Sequence, residues 1–566
     1  MTLRRLYLYL VSAVSLGVLA AGLALLGNTV LLFVFNDPSA QDSRTQLAGF
    51  TAMTAVALPV WAIHFWFARR YAERNPDERG SAIRRLYFYW ACLGGAIGAL
   101  VALAITIGFL LRPELDTCPF RGIDVPCPTT PNWLETSQAG WVAIVFLAIW
   151  AFHFRTATRD RAAVGETGPS ATLRRWYMYV ALLVGLLVML SGASSLIQGL
   201  WLNAIKSPLA FNADAGGAAG AFLAGLLVWG FHERTVAQSL IADDRHSTLR
   251  TLQGFIAVAV SIAIALFGAS QIFYYTLARA LGVDNPGGAG NDILGALAAP
   301  ASLLLVYGTA WFFVRRRLAR DAAAQEADRQ AGIRRLYTNL AALVSLAAWA
   351  VGAGGLLWTV AEQVEAPIIG VAAGDWKNPV SLWATLLVVG AAVWLAHWRP
   401  EPWATDRQSL SRRLYVWAAL LAGVLAGLGA AIGMLAAVLR QVFSAHPALS
   451  DAANLDFGHY LAVIVVAGGV GFYHWTVLRA DAAARPPKPA AAPAAMPTEA
   501  PAKAVAAPAA AVVPAAEIAD PHTRRYVLSV TDATEDDVHQ ALATLPPHAA
   551  YRLTPAEEAV LPVDGH

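Results

Sequence analysis

A chain of 566 residues that is 57% hydrophobic and only 14% charged, with a mean hydropathy of +0.50, is not a soluble globular protein, whose charged share would lie near 25%. Its formal net charge of +3 is too small to mark a nucleic-acid surface. The apolar residues gather in runs of about 20 or more, long enough to cross a hydrocarbon core roughly 30 Å thick, and nineteen Trp suit interfacial belts, so the chain is integral to a membrane.

The first predicted element opens the chain: "MTLRRLYLYLVSAVSLGVLAAGLALLG" has the look of a secretory signal, but the same word opens internal segments that cannot be cleaved. LRRLY at 3–7 is followed by IRRLY at 83–87, LRRWY at 173–177, IRRLY at 333–337 and RRLY at 412–415; a fourth copy reads LRTLQ at 249–253. Aligned on Tyr7, Tyr87, Tyr177, Gln253, Tyr337 and Tyr415, the copies recur at spacings of 80, 90, 76, 84 and 78. A period of this size marks a tandem repeat. Each copy carries a long apolar segment starting at the Arg-Arg word and a shorter one ending on a second word. That second word is WAIH at 61–64, WAFH at 150–153, WGFH at 229–232 and WLAH at 394–397; copy 6 has GFYH at 471–474, and copy 4 has WFFV at 311–314.

The expected fold is therefore all-α and integral to the membrane, with twelve transmembrane helices as six tandem two-helix repeats. The hairpins fall at 1–80, 81–169, 170–246, 247–330 (degenerate at both words), 331–408 and 409–481. "RPPKPAAAPAAMPTEAPAKAVAAPAAAVVPAA" belongs to an Ala/Pro-rich linker over 482–517, and 518–566 regains the pattern of a small cytoplasmic α/β segment, β-α-β in order. The part over roughly 1–480, carrying these two words, resembles a bacterial integral-membrane family of unknown function built from tandem Arg-Arg-Leu-Tyr helical hairpins. The resemblance implies the hairpin architecture and brings no activity.

Basic residues set the expected orientation. The loops inside the hairpins hold seven Lys and Arg, whereas the N-terminus and the loops between hairpins hold 28, and short basic loops stay cytoplasmic. Both words, the N-terminus and the tail are then cytoplasmic, in the bacterial inner membrane. A cation at a helix N-terminus opposes the helix dipole, at a cost of about 0.3–1 kcal/mol, so something must offset it. Arg and Tyr three apart share a face and suit an anionic headgroup or phosphate. The candidate contacts are Arg4, Arg5, Tyr7, Arg84, Arg85, Tyr87, Arg174, Arg175, Tyr177, Arg334, Arg335, Tyr337, Arg412, Arg413 and Tyr415; plain topology and anchoring signals are the simpler reading. His64, His153, His232, His397 and His474 stand at one level. They are read as interfacial anchors, as a pH-responsive cluster, or as ligands to haem or metal, though no CxxCH or HExxH accompanies them. Copy 4, having lost both words, is expected to have its basic end covered by protein.

No Asp, Glu, Lys or Arg occupies the middle of a span, which counts against ion-coupled transport. Gly94/Gly98, Gly423/Gly427 and Gly429/Gly433 are spaced for close helix approach. Cys118 and Cys127 flank "PFRGIDVP" in the longest outer loop and are expected to form a disulfide. No nucleophile–base pair or metal-ligand motif is present. The chain is read as a non-enzymatic membrane scaffold or sensor, with anionic lipids and a cytoplasmic protein bound through 518–566 as partners. No cofactor, metal or nucleic acid is expected. A transporter or flippase for neutral or lipidic substrates is the first alternative, and a haem-binding redox protein the second.

Overall fold

The structure is a computed structural model that describes residues 2–115, 131–207, 215–238, 247–286, 292–322, 328–370, 372–398, 407, 409–443 and 457–484. It contains twelve long helices: α1 (Thr2–Val34), α2 (Arg44–Arg74), α3 (Ala82–Leu115), α4 (Trp133–Val164), α5 (Gly168–Ala204), α6 (Ala215–Gln238), α7 (Thr248–Ala280), α8 (Ile293–Ala322), α9 (Asp328–Ile369), α10 (Lys377–His397), α11 (Leu410–Phe443) and α12 (Phe457–Ala483). All twelve are long and apolar enough to cross a membrane. No strand occurs among the described residues. The linker beyond residue 484, the expected α/β segment at 518–566 and the expected Cys118–Cys127 disulfide lie outside them. Cys92, in α3, is a buried free thiol.

Helix is the local outcome because an apolar medium offers the backbone no partners but its own. Hydroxyls within the spans obey the same constraint by bonding the carbonyl one turn back. Examples are Ser12 to Leu8 O (2.7 Å), Ser15 to Val11 O (2.6 Å) and Thr106 to Ala102 O (2.7 Å). The helices that begin at the Arg-Arg word exceed the roughly 20 residues a crossing takes, reaching 37 in α5 and 42 in α9.

Helices pair as α1–α2, α3–α4, α5–α6, α7–α8, α9–α10 and α11–α12, which makes six hairpins. Beyond its own hairpin, each odd-numbered helix packs on both helices of the next one: α1 on α3 and α4, α3 on α5 and α6, α5 on α7 and α8, α7 on α9 and α10, α9 on α11 and α12. Every extensive helix–helix contact among the described residues is thus within a hairpin or between successive hairpins. The membrane unit is a linear array, with the nearest-neighbour energetics of repeat proteins.

Between apolar helices in lipid, association rests on close packing and hydrogen bonds rather than on the hydrophobic effect. The α5–α6 crossing shows it. A Cβ added to Gly185 would stand 2.8 Å from Trp229 N, and one at Gly192 or Gly225 would overlap the facing backbone. The expected glycine contacts are met in part. Gly98 and Gly433 abut Phe146 and Tyr460, and Gly423 and Gly427 approach Ala467, whereas Gly94 and Gly429 face open space; at the first site Gly95 makes the contact, against Trp150. One residue of helical phase separates Gly94 from Gly95, and spacing alone does not fix that phase.

Candidate functional site

The two recurring words meet in space. In each retained His, Nδ1 lies 2.7–2.9 Å from the carbonyl four residues back, as in His153 with Ile149 O and His397 with Val393 O. A carbonyl can only accept, so Nδ1 carries the proton and Nε2 is an acceptor. The Tyr hydroxyl of the same hairpin donates to it: Tyr7 to His64 (3.3 Å), Tyr87 to His153 (3.0 Å), Tyr177 to His232 (2.8 Å) and Tyr415 to His474 (2.9 Å). The Tyr oxygen in turn accepts from the indole of the preceding hairpin. Trp61 donates to Tyr87 (3.0 Å), Trp150 to Tyr177 (2.8 Å) and Trp394 to Tyr415 (2.9 Å). A Trp→Tyr→His relay therefore locks hairpin to hairpin. Copy 6 has Gly471 at the Trp position and so offers no indole there.

The arginines form a second layer beside the relay. Arg84 Nε donates to Asp160 (2.7 Å) and Arg84 Nη1 to Tyr9 (3.0 Å); Arg412 Nε donates to Asp481 (2.7 Å). Arg4 stacks its guanidinium 3.9 Å from the centroid of Tyr71. Tyr71, Asp160 and Asp481 occupy one repeat position, seven residues after the His, two turns on and on the same face. Between hairpins, Glu78 accepts from Arg5 (2.5 Å), and Glu166 bridges Arg85 and Arg174 at 3.1 Å each while also accepting from Tyr89. Arg85 Nη1 also donates to Ala157 O (2.9 Å), a carbonyl near the C-terminal end of α4.

These contacts correct the headgroup reading for the inner members of the set. Arg84, Arg85, Arg174, Arg412, Tyr87, Tyr177 and Tyr415 are buried, and the groups that offset the helix-dipole cost are protein carboxylates and carbonyls. Arg4, Tyr7, Arg334 and Arg413 are exposed; Arg5, Arg175, Arg335 and Tyr337 are half-buried. His153, His232 and His474 are buried too, so they are not interfacial anchors. With both ring nitrogens engaged, His64, His153, His232 and His474 offer none to haem or metal. Among the described residues no His/Cys/Asp/Glu group is placed to hold a metal ion.

Hairpin 4 interrupts the relay on both sides. Gln253 replaces the Tyr and Val314 the His, and neither Trp229 nor Gln253 makes a hydrogen bond through its side chain. On the far side, Tyr337 and His397 touch only through their rings, with centroids 5.8 Å apart, and Trp311 lies under Arg315. The basic end of this copy is covered at Gln253, which is buried, but Val314 is half-buried, and their counterparts Tyr87 and His64 are buried and half-buried in the same way, so cover does not set copy 4 apart as the one member withdrawn from a lipid-facing layer.

The break at hairpins 3 and 4 is marked by space. A cavity of about 640 Å³ opens among α5, α6, α7 and α8, within the roughly 300–1,000 Å³ range of small-molecule sites. Its walls include Leu186, Leu190, Ile197, Phe222 and Val306, and its charged residues (Glu233, Arg250, Arg317 and Arg320) stand together at the basic end of the helices. Arg317 Nη1 donates to Glu233 at 2.8 Å. On α8, Leu305, Thr309 and Phe313 line the cavity and are themselves exposed, so it is open along that side. Composition pointed to small-residue packing and gave no sign of this cavity; the loss of both words in one copy was the signal.

The fold and site define a multi-pass helical membrane protein assembled from tandem hairpins. The chain belongs to the family described as Domain of unknown function (DUF5671), whose profile matches residues 5–129, 126–227 and 335–470, more than half of its length. The stretch it passes over, 228–334, contains α7 and α8, the whole of hairpin 4. No curated protein and no solved structure matches the chain.

Proposed function

We propose that this is a non-enzymatic membrane scaffold or sensor of the bacterial inner membrane, with both termini cytoplasmic, that holds a lipid-like molecule at the junction of hairpins 3 and 4 and engages a cytoplasmic protein through 518–566. One observation carries the reading: the cavity coincides with the place where the relay is broken. Hairpins 1–3 and hairpins 5–6 are each tied by complete relays, and hairpin 4 lies between them without one. A molecule seated there biases the spacing of the two blocks by the difference in its affinity for their arrangements. The transport reading has less support, because the charged groups of the cavity stand at one end only, and the relay engages both ring nitrogens of four of the five histidines the haem reading draws on.

The test is native mass spectrometry of the full chain purified from its own membranes. The wild type is expected to retain a lipid-mass adduct that Ala193→Trp, which fills the cavity, removes; Met189→Phe is the milder second variant. The same adducts in all three proteins would overturn the reading. A reporter active only outside the cytoplasm should work when fused within 112–139 and be silent at 320 or 485; the reverse would overturn the orientation.

A further inference from the structure

We infer that the molecule held between hairpins 3 and 4 is a single-chain amphiphile with an oxyanion head, a carboxylate or phosphate monoester, lying with its head on Arg250 and Arg317 and its chain along α5. The inference rests on the reading of the cavity as a binding site. Its shape comes first. The lining on α5 runs from Leu182 to Ile197, about 22 Å of helix at 1.5 Å per residue. Over that length the cavity is an elongated apolar trough, which matches an extended hydrocarbon chain in shape.

Charge comes second. Three arginines and one glutamate make the mouth of the cavity cationic, while the rest of the lining is apolar apart from Gln253, Thr309 and the Trp229 indole. Arg forks match carboxylate and phosphate oxygens in pairs. Gln253 is more than nine-tenths buried, makes no hydrogen bond and lines the cavity beside these arginines, so its carboxamide is a donor without an acceptor. Third, the open side of the cavity is the exposed Leu305, Thr309 and Phe313 face of α8, within the membrane span, so the chain enters sideways from lipid.

The Arg317–Glu233 pair supplies a test with two signs. Glu233 competes with an incoming anion for Arg317. The full chain in nanodiscs of zwitterionic lipid is assayed for binding of radiolabelled hexadecanoate. Unlabelled hexadecanoate and hexadecanoyl lysophosphatidate are expected to compete roughly tenfold better than hexadecanol or hexadecyltrimethylammonium, and their ratio tells a fatty acid from a phosphate lipid. Arg317→Gln should weaken binding about tenfold and Glu233→Gln should tighten it severalfold, whereas a merely structural pair would weaken with either change. If hexadecanol competes as well as hexadecanoate while Ala193→Trp still abolishes binding, the oxyanion head is wrong and the cavity stands. If dihexadecanoyl phosphatidate competes best, the single chain is wrong. If Ala193→Trp, shown to be folded, leaves hexadecanoate binding intact, both the inference and the reading beneath it fail.

Discussion

The junction of hairpins 2 and 3 and the junction of hairpins 3 and 4 share a layout and differ in chemistry. At the first, the Trp150 indole, Tyr177 hydroxyl and His232 imidazole form one hydrogen-bonded line, and Glu166 joins Arg85 to Arg174 beside it. At the second, Trp229 keeps its place, but Gln253 and Val314 cannot continue the line, and a cavity lies where the first junction is packed. In a bilayer, where lipid satisfies apolar surface as well as protein does, directional bonds at the helix ends decide which neighbours stay together. The comparison teaches that one pair of recurring words couples hairpin to hairpin, and that a cavity stands at the junction where the pair is lost.

The largest expected effect is at the carboxylate. Glu166→Gln leaves Arg85 and Arg174, both buried, without their shared counter-charge and should lower stability by about 3–5 kcal/mol. Glu233→Gln, at a pair about 30% exposed, should cost less than about 1 kcal/mol. Thermal unfolding of the two variants in one detergent compares them; equal losses would remove the distinction between the junctions. Next comes the hydroxyl. Tyr177→Phe strands both an indole N–H and an imidazole nitrogen and should cost about 1–3 kcal/mol, whereas Gln253→Leu should be neutral or stabilising in the ligand-free protein. Smallest is the indole: Trp150→Phe should show a coupling of about 0.6–2 kcal/mol with Tyr177→Phe in a double-mutant cycle, and Trp229→Phe none with Gln253→Leu.

Much of the fold could be read from the residues, because twelve apolar runs and a period near 80 leave a membrane helix few alternatives. The roles of the words were harder to read. Tyr at the head of one helix and His at the foot of another look like interfacial residues in isolation, since a one-dimensional pattern does not say which ends meet. The pairing of Arg84 with Asp160 and of Arg412 with Asp481 was nevertheless visible as an acid seven residues past the His in copies 2 and 6. Glu78 and Glu166 sit nine and eleven residues before their Tyr, an irregular spacing that hides a common role. Copy 4 stood out by its losses, but a cavity is a property of four helices together and leaves no local mark in any of them.

The central claim, that hairpin 4 holds a site because its relay is broken, is tested most directly by mending it. The double variant Gln253→Tyr with Val314→His gives Trp229 a hydroxyl to donate to and that hydroxyl an imidazole to reach, as at the other side of hairpin 3. Measured on the full chain, it should unfold at a higher temperature than the wild type and lose the retained amphiphile. Retention of the amphiphile at wild-type levels in a variant that has gained stability would contradict the account.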